Sequence, residues 1–597
     1  MIWLFIIIGP LENTVNDFWR MIWQENSPVI VMLMDLVENG KKKCTKYWPD
    51  DSMDCGDMHI LLIHSEQYKD FVVRTILVRK IDEIRTHRVM HYQFTGWPDQ
   101  TIPYNITSLI KFMKKVRDDH PVMGGPLVVH CRDISSGLCS SVFSVLELEG
   151  REPTLPSMPC ASKLLKTKEW MSLGSSTTPG INEVHLVQTL EQYAFIYEAL
   201  VEAMQFEDTT VPLEKIANYL KELNHMNTVD RRSLILKQYN KLNKSQKKID
   251  VNRCSVALSE INIFKNRDPL TVPRDTARIQ LEVEDDDDEQ TDYINAVYID
   301  GYLKPAQFMA TQMPMTHTAE DFWRLIYQMR SSLIVMLNGC DENDDLRLRN
   351  HFCALLVSDN MLNSPLSLAQ NVGIYWPELG ECSFGDFEVQ LITFEKQGDF
   401  TIRIMRLSHK LRNEEPMKII QLQYNGWTSE MKPASVLTLV ETVEMWYQRS
   451  AGGPITVHCM DGATRTGLFI AANHVCDQVQ SEGILDVYEI VKSIRTNRPE
   501  FIPNSDQYRL LFEVAQEAAE PYLVQLEQTQ ATKSCLLNYE WTTEHPFIEC
   551  SSSQTHRIMC KILVYIEQRT NHCPFAVIIF GLKPGATTFK ENESFCT

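Results

Sequence analysis

Two short runs, Ser332 to Leu337 and Gly453 to His458, are dense in apolar and β-branched residues and bounded by polar or turn-forming ones, which predicts buried strands. Past the second run the apolar spacing changes. Leu468, Ala471, Ala472 and Val475 fall three or four apart over Arg465 to Gln478, the pattern of a helix with one face on a sheet. Strand-like and helix-like stretches interleave in this way along much of the chain. The pattern predicts an α/β (α+β) fold, with a central mixed sheet flanked by helices.

The pattern occurs twice. Asp17-Phe18-Trp19-Arg20 returns as Asp321-Phe322-Trp323-Arg324, and Val31-Met32-Leu33 as Val335-Met336-Leu337, both 304 residues on. Tyr47-Trp48-Pro49 returns as Tyr375-Trp376-Pro377, and His130-Cys131 as His458-Cys459, both 328 residues on. The step between these offsets puts an insertion between Leu337 and Tyr375. The chain is therefore read as two copies of one domain rather than a short-period solenoid. The expected division is a first domain over 1–203, a linker over 204–229, a second domain over 230–522 and a tail over 523–597 without assignment. Within the second domain, Glu282 to Glu289 is an acidic run read as a solvated loop.

Composition narrows the functions. With 597 residues, 44% hydrophobic and 23% charged, the chain can build several ordinary cores without staples. A net charge of -20 argues against a nucleic-acid partner, because phosphate backbones are held by Lys/Arg clusters. Sixteen cysteines lack paired zinc-type spacing and read as reduced thiols of a cytoplasmic protein. That includes Cys535, Cys550, Cys560, Cys573 and Cys596 near the end, despite three nearby histidines. The apolar start, Met1 to Ile8, is too short to span a bilayer and lacks the flanks of a signal peptide.

The segment richest in chemistry is His458-Cys459-Met460-Asp461-Gly462-Ala463-Thr464-Arg465-Thr466-Gly467. A buried strand that ends at a cysteine, a tight loop and a helix start would turn successive amides inward as an anion-binding nest. That environment lowers a thiol pKa, so Cys459 is expected as a thiolate nucleophile. Arg465 can offer its planar fork to two phosphoryl oxygens, and Thr466 can hydrogen-bond the sulfur. His458, Met460, Asp461, Gly462, Ala463, Thr464 and Thr466 are then candidates for holding the substrate. The bland alternative is that Cys459 is one more core cysteine.

This His-Cys-x5-Arg-Thr-Gly pattern resembles the signature of the protein-tyrosine phosphatase family. Lys265-Asn266-Arg267, Tyr293-Ile294-Asn295-Ala296 and the repeated Asp-Phe-Trp-Arg element resemble it too. With the duplication, the resemblance is to the cytoplasmic portion of receptor-type tandem phosphatases. It implies two tandem phosphatase domains, no metal or other cofactor, phosphotyrosine-containing proteins as partners and contacts between the two domains. A membrane tether is implied by resemblance alone. The resemblance also implies that Asp99, in Gly96-Trp97-Pro98-Asp99, is an acid/base, and that Gln188 and Gln192 in the first copy and Gln507 in the second position water.

Each copy departs from the pattern. Six residues past Cys131 stands Gly137, not arginine, and the Ser/Pro/Cys-rich stretch to Thr178 reads either as a divergent, phosphate-blind domain or as a retained intron or slipped frame. The insertion at 346–374 and the tail after Tyr522 have the same foreign look. The first copy also starts abruptly. The second copy has Ser429 in the aspartate's place, with Glu430 beside it, Asp268 where the ring-stacking tyrosine is expected, and Pro503 for the first glutamine. Two functions follow: hydrolysis of phosphotyrosine through a cysteinyl-phosphate, or a catalytically impaired pair that binds phosphotyrosine as a scaffold.

Overall fold

A computed structural model of the chain describes residues 4–38, 41–97, 103, 106–119, 125–131, 190–205, 208–225, 233–245, 253–283, 291–339 and 374–537. Residues 1–524 form one compact unit; of the remainder only the end of the Ser505–Leu537 helix is described. Two sheets organise the compact unit. The first runs in the order Leu4–Ile8, Leu127–Cys131, Val29–Met32, Thr86–Phe94, Phe71–Lys80, Met58–Gln67, Ser52–Cys55. The second repeats this order with Phe308–Gln312, Ile455–Cys459, Leu333–Met336, Met417–Tyr424, Phe400–His409, Phe387–Gln397 and Glu381–Phe384, and adds Arg278–Gln280 and Tyr293–Ile299 at its edge. Both are mixed sheets with flanking helices, as the interleaved pattern predicts.

The centre of each sheet is parallel, which explains the dense apolar runs. Ile455–Cys459 lies between Phe308–Gln312 and Leu333–Met336, parallel to both, and all five of its residues are buried. Leu127–Cys131 occupies the same place in the first sheet, between Leu4–Ile8 and Val29–Met32. The outer antiparallel strands instead become polar toward their hairpin ends, as in Phe387–Gln397.

The repeated motifs form the same buried joint twice. Trp19 Nε1 donates to the Tyr47 carbonyl at 2.8 Å, and Trp323 Nε1 to the Tyr375 carbonyl at 2.8 Å. Phe18 packs 4.7 Å from Tyr47, and Phe322 4.7 Å from Tyr375. Each tyrosine hydroxyl then meets the histidine before the cysteine: Tyr47 with His130 at 2.6 Å, Tyr375 with His458 at 2.7 Å. The second partner differs, being His91 in the first copy and Gln421 in the second. A joint built on large aromatics and one buried hydroxyl explains why these short words persist across the duplication.

Part of the segment expected as a linker packs on the core of the second repeat. Val211–Pro212 pairs antiparallel with Ile484–Leu485, and Leu213, Ile216, Leu220 and Leu223 are buried in the core around Ile455 and Leu468. The helix Leu234–Ser245 adds Ile235, Tyr239 and Leu242 to that core. Its apolar residues recur at helical spacing along a sequence otherwise rich in lysine and asparagine. Nearby, Lys111 is paired with the buried Asp486, Lys492 with Glu202, and the Lys69 amide donates to Glu482 at 3.0 Å. Elements of the first repeat thus touch the second directly. Among the described residues, no helix is long and apolar enough to cross a membrane.

Candidate active site

Cys459 ends the central strand of the second sheet, the carboxyl end at which open α/β sheets place ligands. Its carbonyl accepts the Met313 amide at 2.7 Å, and the chain turns at once into the loop 460–463. Gly462 makes that turn possible. Its φ is +67°, and a Cβ there would come within 2.5 Å of the Thr311 backbone. The helix Thr464–Glu482 follows, with its first turn aimed at the loop. Thr466, fully buried in that turn, donates Oγ1 to Cys459 Sγ at 3.2 Å.

Two further side chains fix the frame. Arg498 is completely buried beneath the loop and donates to Asn295 Oδ1 at 2.8 Å and to the Asp461 carbonyl at 3.5 Å. Arg267 donates to the carbonyls of Met313 at 2.6 Å and Pro314 at 2.9 Å. Tyr293 and Asn295 both donate to Asn266 Oδ1, at 2.5 and 3.0 Å. The Lys-Asn-Arg and Tyr-Ile-Asn-Ala words are thus one buried scaffold that joins the 265–271 segment to the strands beside Cys459. Lys265 and Arg324 both pair with Asp321, at 2.8 and 2.7 Å. The water-sized cavity lined by Lys265, Asn295 and Gln312 includes neither Cys459 nor Arg465.

A cysteine at a parallel strand end, a left-handed glycine, a helix N-terminus and a threonine on the sulfur together make a phosphate-loop geometry. A protein-tyrosine phosphatase family model matches residues 5–144 and 262–517, which together make up most of the chain. The chain belongs to the protein-tyrosine phosphatase family. Its similar proteins include receptor-type tyrosine-protein phosphatase alpha of Homo sapiens, 31% identical over 518 residues, 85% of this chain and 59% of that protein. Receptor-type tyrosine-protein phosphatase epsilon of Homo sapiens is 31% identical over 521 residues, 85% of this chain and 69% of that protein. Receptor-type tyrosine-protein phosphatase U of Gallus gallus is 31% identical over 529 residues, 87% of this chain and 34% of that protein. The chain therefore spans from about a third to about two thirds of the length of these relatives.

Three groups around this loop stand differently from the sequence reading. Cys459 is held toward its thiol form in this structure. Burial, followed by the neighbouring Asp461 carboxylate and the hydrogen bond to it, pushes the thiol up to about 12, against the smaller opposing pull of Thr466. The inward amides were expected to lower it, but Ala463 and Thr464 donate theirs to Asp461. His458 does not face a substrate. Its ring is buried against Phe322 and Tyr375 and is held neutral, down to about 3, by burial and then by the charge of Arg267. Arg465 does not close over the loop. Its Nη1 donates to the Leu337 carbonyl at 2.9 Å, and its guanidinium lies 5.4 Å from the Trp427 ring centroid.

Met460 packs its side chain toward the Trp323–Tyr375 core and accepts from Asn338 Nδ2 at 3.6 Å; Ala463 is buried in the main core. Gln507 lies in the first turn of the Ser505–Leu537 helix, with its side-chain oxygen buried. Ser429 and Glu430 are exposed, and the Thr428 hydroxyl ties their turn by donating to the Glu430 carbonyl at 2.8 Å. In the first copy Cys131 is buried at its strand end, with its carbonyl on the Gly9 amide at 2.9 Å. Asp99, Gln188 and the loop after Cys131 lie outside the described residues, as do the 346–373 insertion and the acidic run from 284; Gln192 is on the Leu190–Gln205 helix, with its side chain outside them.

Asp461 and Trp427 are the residues the sequence undervalued. Asp461-Gly462 with a threonine three residues past the aspartate is an Asx-turn word, and that was the available signal for a carboxylate folded back on the loop. Trp427 as a resting place for Arg465 had none, since the two are 38 residues apart.

Proposed function

We propose that the chain hydrolyses phosphotyrosine on proteins as the tandem catalytic portion of a receptor-type phosphatase, on the cytoplasmic side of its membrane. The observation that carries this reading is the Thr466 Oγ1 to Cys459 Sγ bond at the end of a central parallel strand, with Arg465 one position before that threonine. The ionised Cys459 sulfur attacks phosphorus, the phosphorus–oxygen bond to tyrosine breaks, and the tyrosyl oxygen takes a proton. Water then attacks the cysteinyl-phosphate, and inorganic phosphate leaves as the sulfur anion is restored. Arg465 would swing from Leu337 and Trp427 to two equatorial oxygens, an arrangement that suits charge spread over a phosphoryl group. Asp99 in the first domain is proposed as acid/base with Cys131 as its nucleophile, and Gln507 and Gln192 as water-positioning groups.

With serine at 429, the second domain lacks the usual acid, and a missing general acid costs about 10²–10⁴ in rate. Its turnover is therefore expected to be slow. The receptor-type relatives favour hydrolysis over the scaffold alternative. The test is release of phosphate from a small aryl phosphate and from a tyrosine-phosphorylated peptide, with Cys459→Ser, Cys131→Ser and the double variant. Activity is expected to fall in the single variants and vanish in the double. Full activity in the double variant would remove both cysteines from the mechanism.

A further inference from the structure

The loop that would hold a phosphoryl group already holds an oxyanion of its own. Asp461 stands two residues past Cys459, and its half-buried carboxylate turns back into the loop. Oδ1 accepts the amides of Ala463 and Thr464, each at 2.9 Å, and the Cys459 thiol at 3.0 Å. Oδ2 accepts the Thr464 hydroxyl at 2.5 Å. The backbone around it has no slack. Arg498 holds the Asp461 carbonyl, and Gly462 lies against the backbone of Thr311 and Gln312.

A carboxylate and the face of a phosphoryl group offer such amides the same chemistry, negatively charged oxygens a hydrogen-bond length away. The same two amides cannot hold both. The charge also acts on the nucleophile, because a carboxylate 3.0 Å from the sulfur disfavours a second anion there. Consistent with this, Arg465, the cation that should close on an incoming phosphate, rests on Leu337 and Trp427.

We propose that Asp461 is an autoinhibitory contact, a built-in oxyanion that occupies the phosphate cradle and must be displaced before Cys459 can meet phosphorus. The inference rests on the hydrolysis reading only in taking this loop as the phosphate site. The rival account of the same bonds is an Asx turn that caps the Thr464–Glu482 helix and has no bearing on ligands. The two differ in sign. Loss of a pure cap weakens the loop and its hold on oxyanions, whereas loss of a competitor strengthens that hold.

The test uses the full chain and tungstate, a phosphate-like oxyanion, read at Cys459 itself. The tungstate concentration that protects Cys459 from iodoacetamide at neutral pH is measured by peptide mass spectrometry for wild type, Asp461→Ala, Asp461→Asn and Thr464→Val. Removing a charged acceptor from two amides should tighten tungstate about tenfold or more in Asp461→Ala and should speed unprotected alkylation. Asp461→Asn should move the same way by less. Thr464→Val, which loses only the hydroxyl latch and keeps every loop amide, should give a small shift of the same sign, and it guards against misfolding of the Asp461 variants. Unchanged or weaker protection in all three variants would overturn the proposal and leave a cap. If no form of the protein, wild type included, is protected at any concentration, the phosphate-loop reading falls with it.

Discussion

Replacing Thr466 by valine removes one atom's function and little volume. Thr466 is fully buried, and its hydroxyl donates to Cys459 Sγ at 3.2 Å. In the thiol state that bond is a weak one. When the cysteinyl-phosphate breaks down, however, the sulfur leaves as an anion and the hydroxyl donates to a full charge. A hydrogen bond to a charged group contributes about 1.5–3 kcal/mol, which corresponds to about 10–100-fold in the rate of that step. Formation of the intermediate depends less on this bond, because the phosphoryl group neutralises the sulfur as it forms. Thr466→Val should therefore lower kcat by about 10–100-fold and kcat/KM by much less, with a stoichiometric burst of released phenol in rapid-mixing assays. The fold should barely respond, since a methyl replaces a hydroxyl within an otherwise apolar core. An equal fall in kcat and kcat/KM, or no burst, would refute the assigned role of Thr466 at the departing sulfur.

Three further outcomes are expected. Ser429→Asp, which restores an acid to the exposed 428–431 turn, should raise kcat of a Cys131→Ser background by about tenfold or more, and no gain would mean that the turn does not reach the leaving oxygen. Tyr375→Phe leaves His458 and Gln421 without a shared buried hydroxyl and should cost about 1–3 kcal/mol in urea unfolding, while an unchanged midpoint would deny the joint its structural weight. Acid should unfold the chain steeply. His130, His458 and His474 are each held neutral, down to about 3, chiefly by burial, so below their ordinary value of about 6.5 the unfolded chain takes up protons that the folded chain refuses. Each contributes up to about 1.4 kcal/mol of lost stability per pH unit as pH falls from about 6.5 toward 3, and a flat urea midpoint across that window would contradict it.

What could be read in the sequence was whatever is local or repeated. The 304 and 328 offsets gave the duplication, and the spacing of Leu468, Ala471, Ala472 and Val475 gave the helix that presents Thr466. The strand ending at Cys459 was legible because its neighbours are parallel on both sides, so the whole run had to be apolar. The apolar face of the residues over 208–224 was hidden in the sequence because it joins the second domain's core beside a pairing 274 residues away, Val211 with Leu485, which spacing does not encode. The charge balance at Cys459 was hidden for a related reason. Inward amides lower a thiol pKa only while they are free to face it, and Asp461 takes two of them. The positions of Arg465 and His458 likewise depend on Leu337, Trp427 and Tyr375, partners distant in the chain.

The central claim is that the sulfur of Cys459 carries the phosphoryl group between substrate and water. The most direct measurement is rapid acid quench of the Cys131→Ser chain turning over an aryl phosphate, followed by peptide mass spectrometry. One phosphoryl group on the Cys459 peptide, absent from Cys459→Ser and accumulating in Thr466→Val, is the expected result. Turnover that depends on neither Cys459 nor Cys131, or a phosphoryl group trapped on another residue, would contradict it.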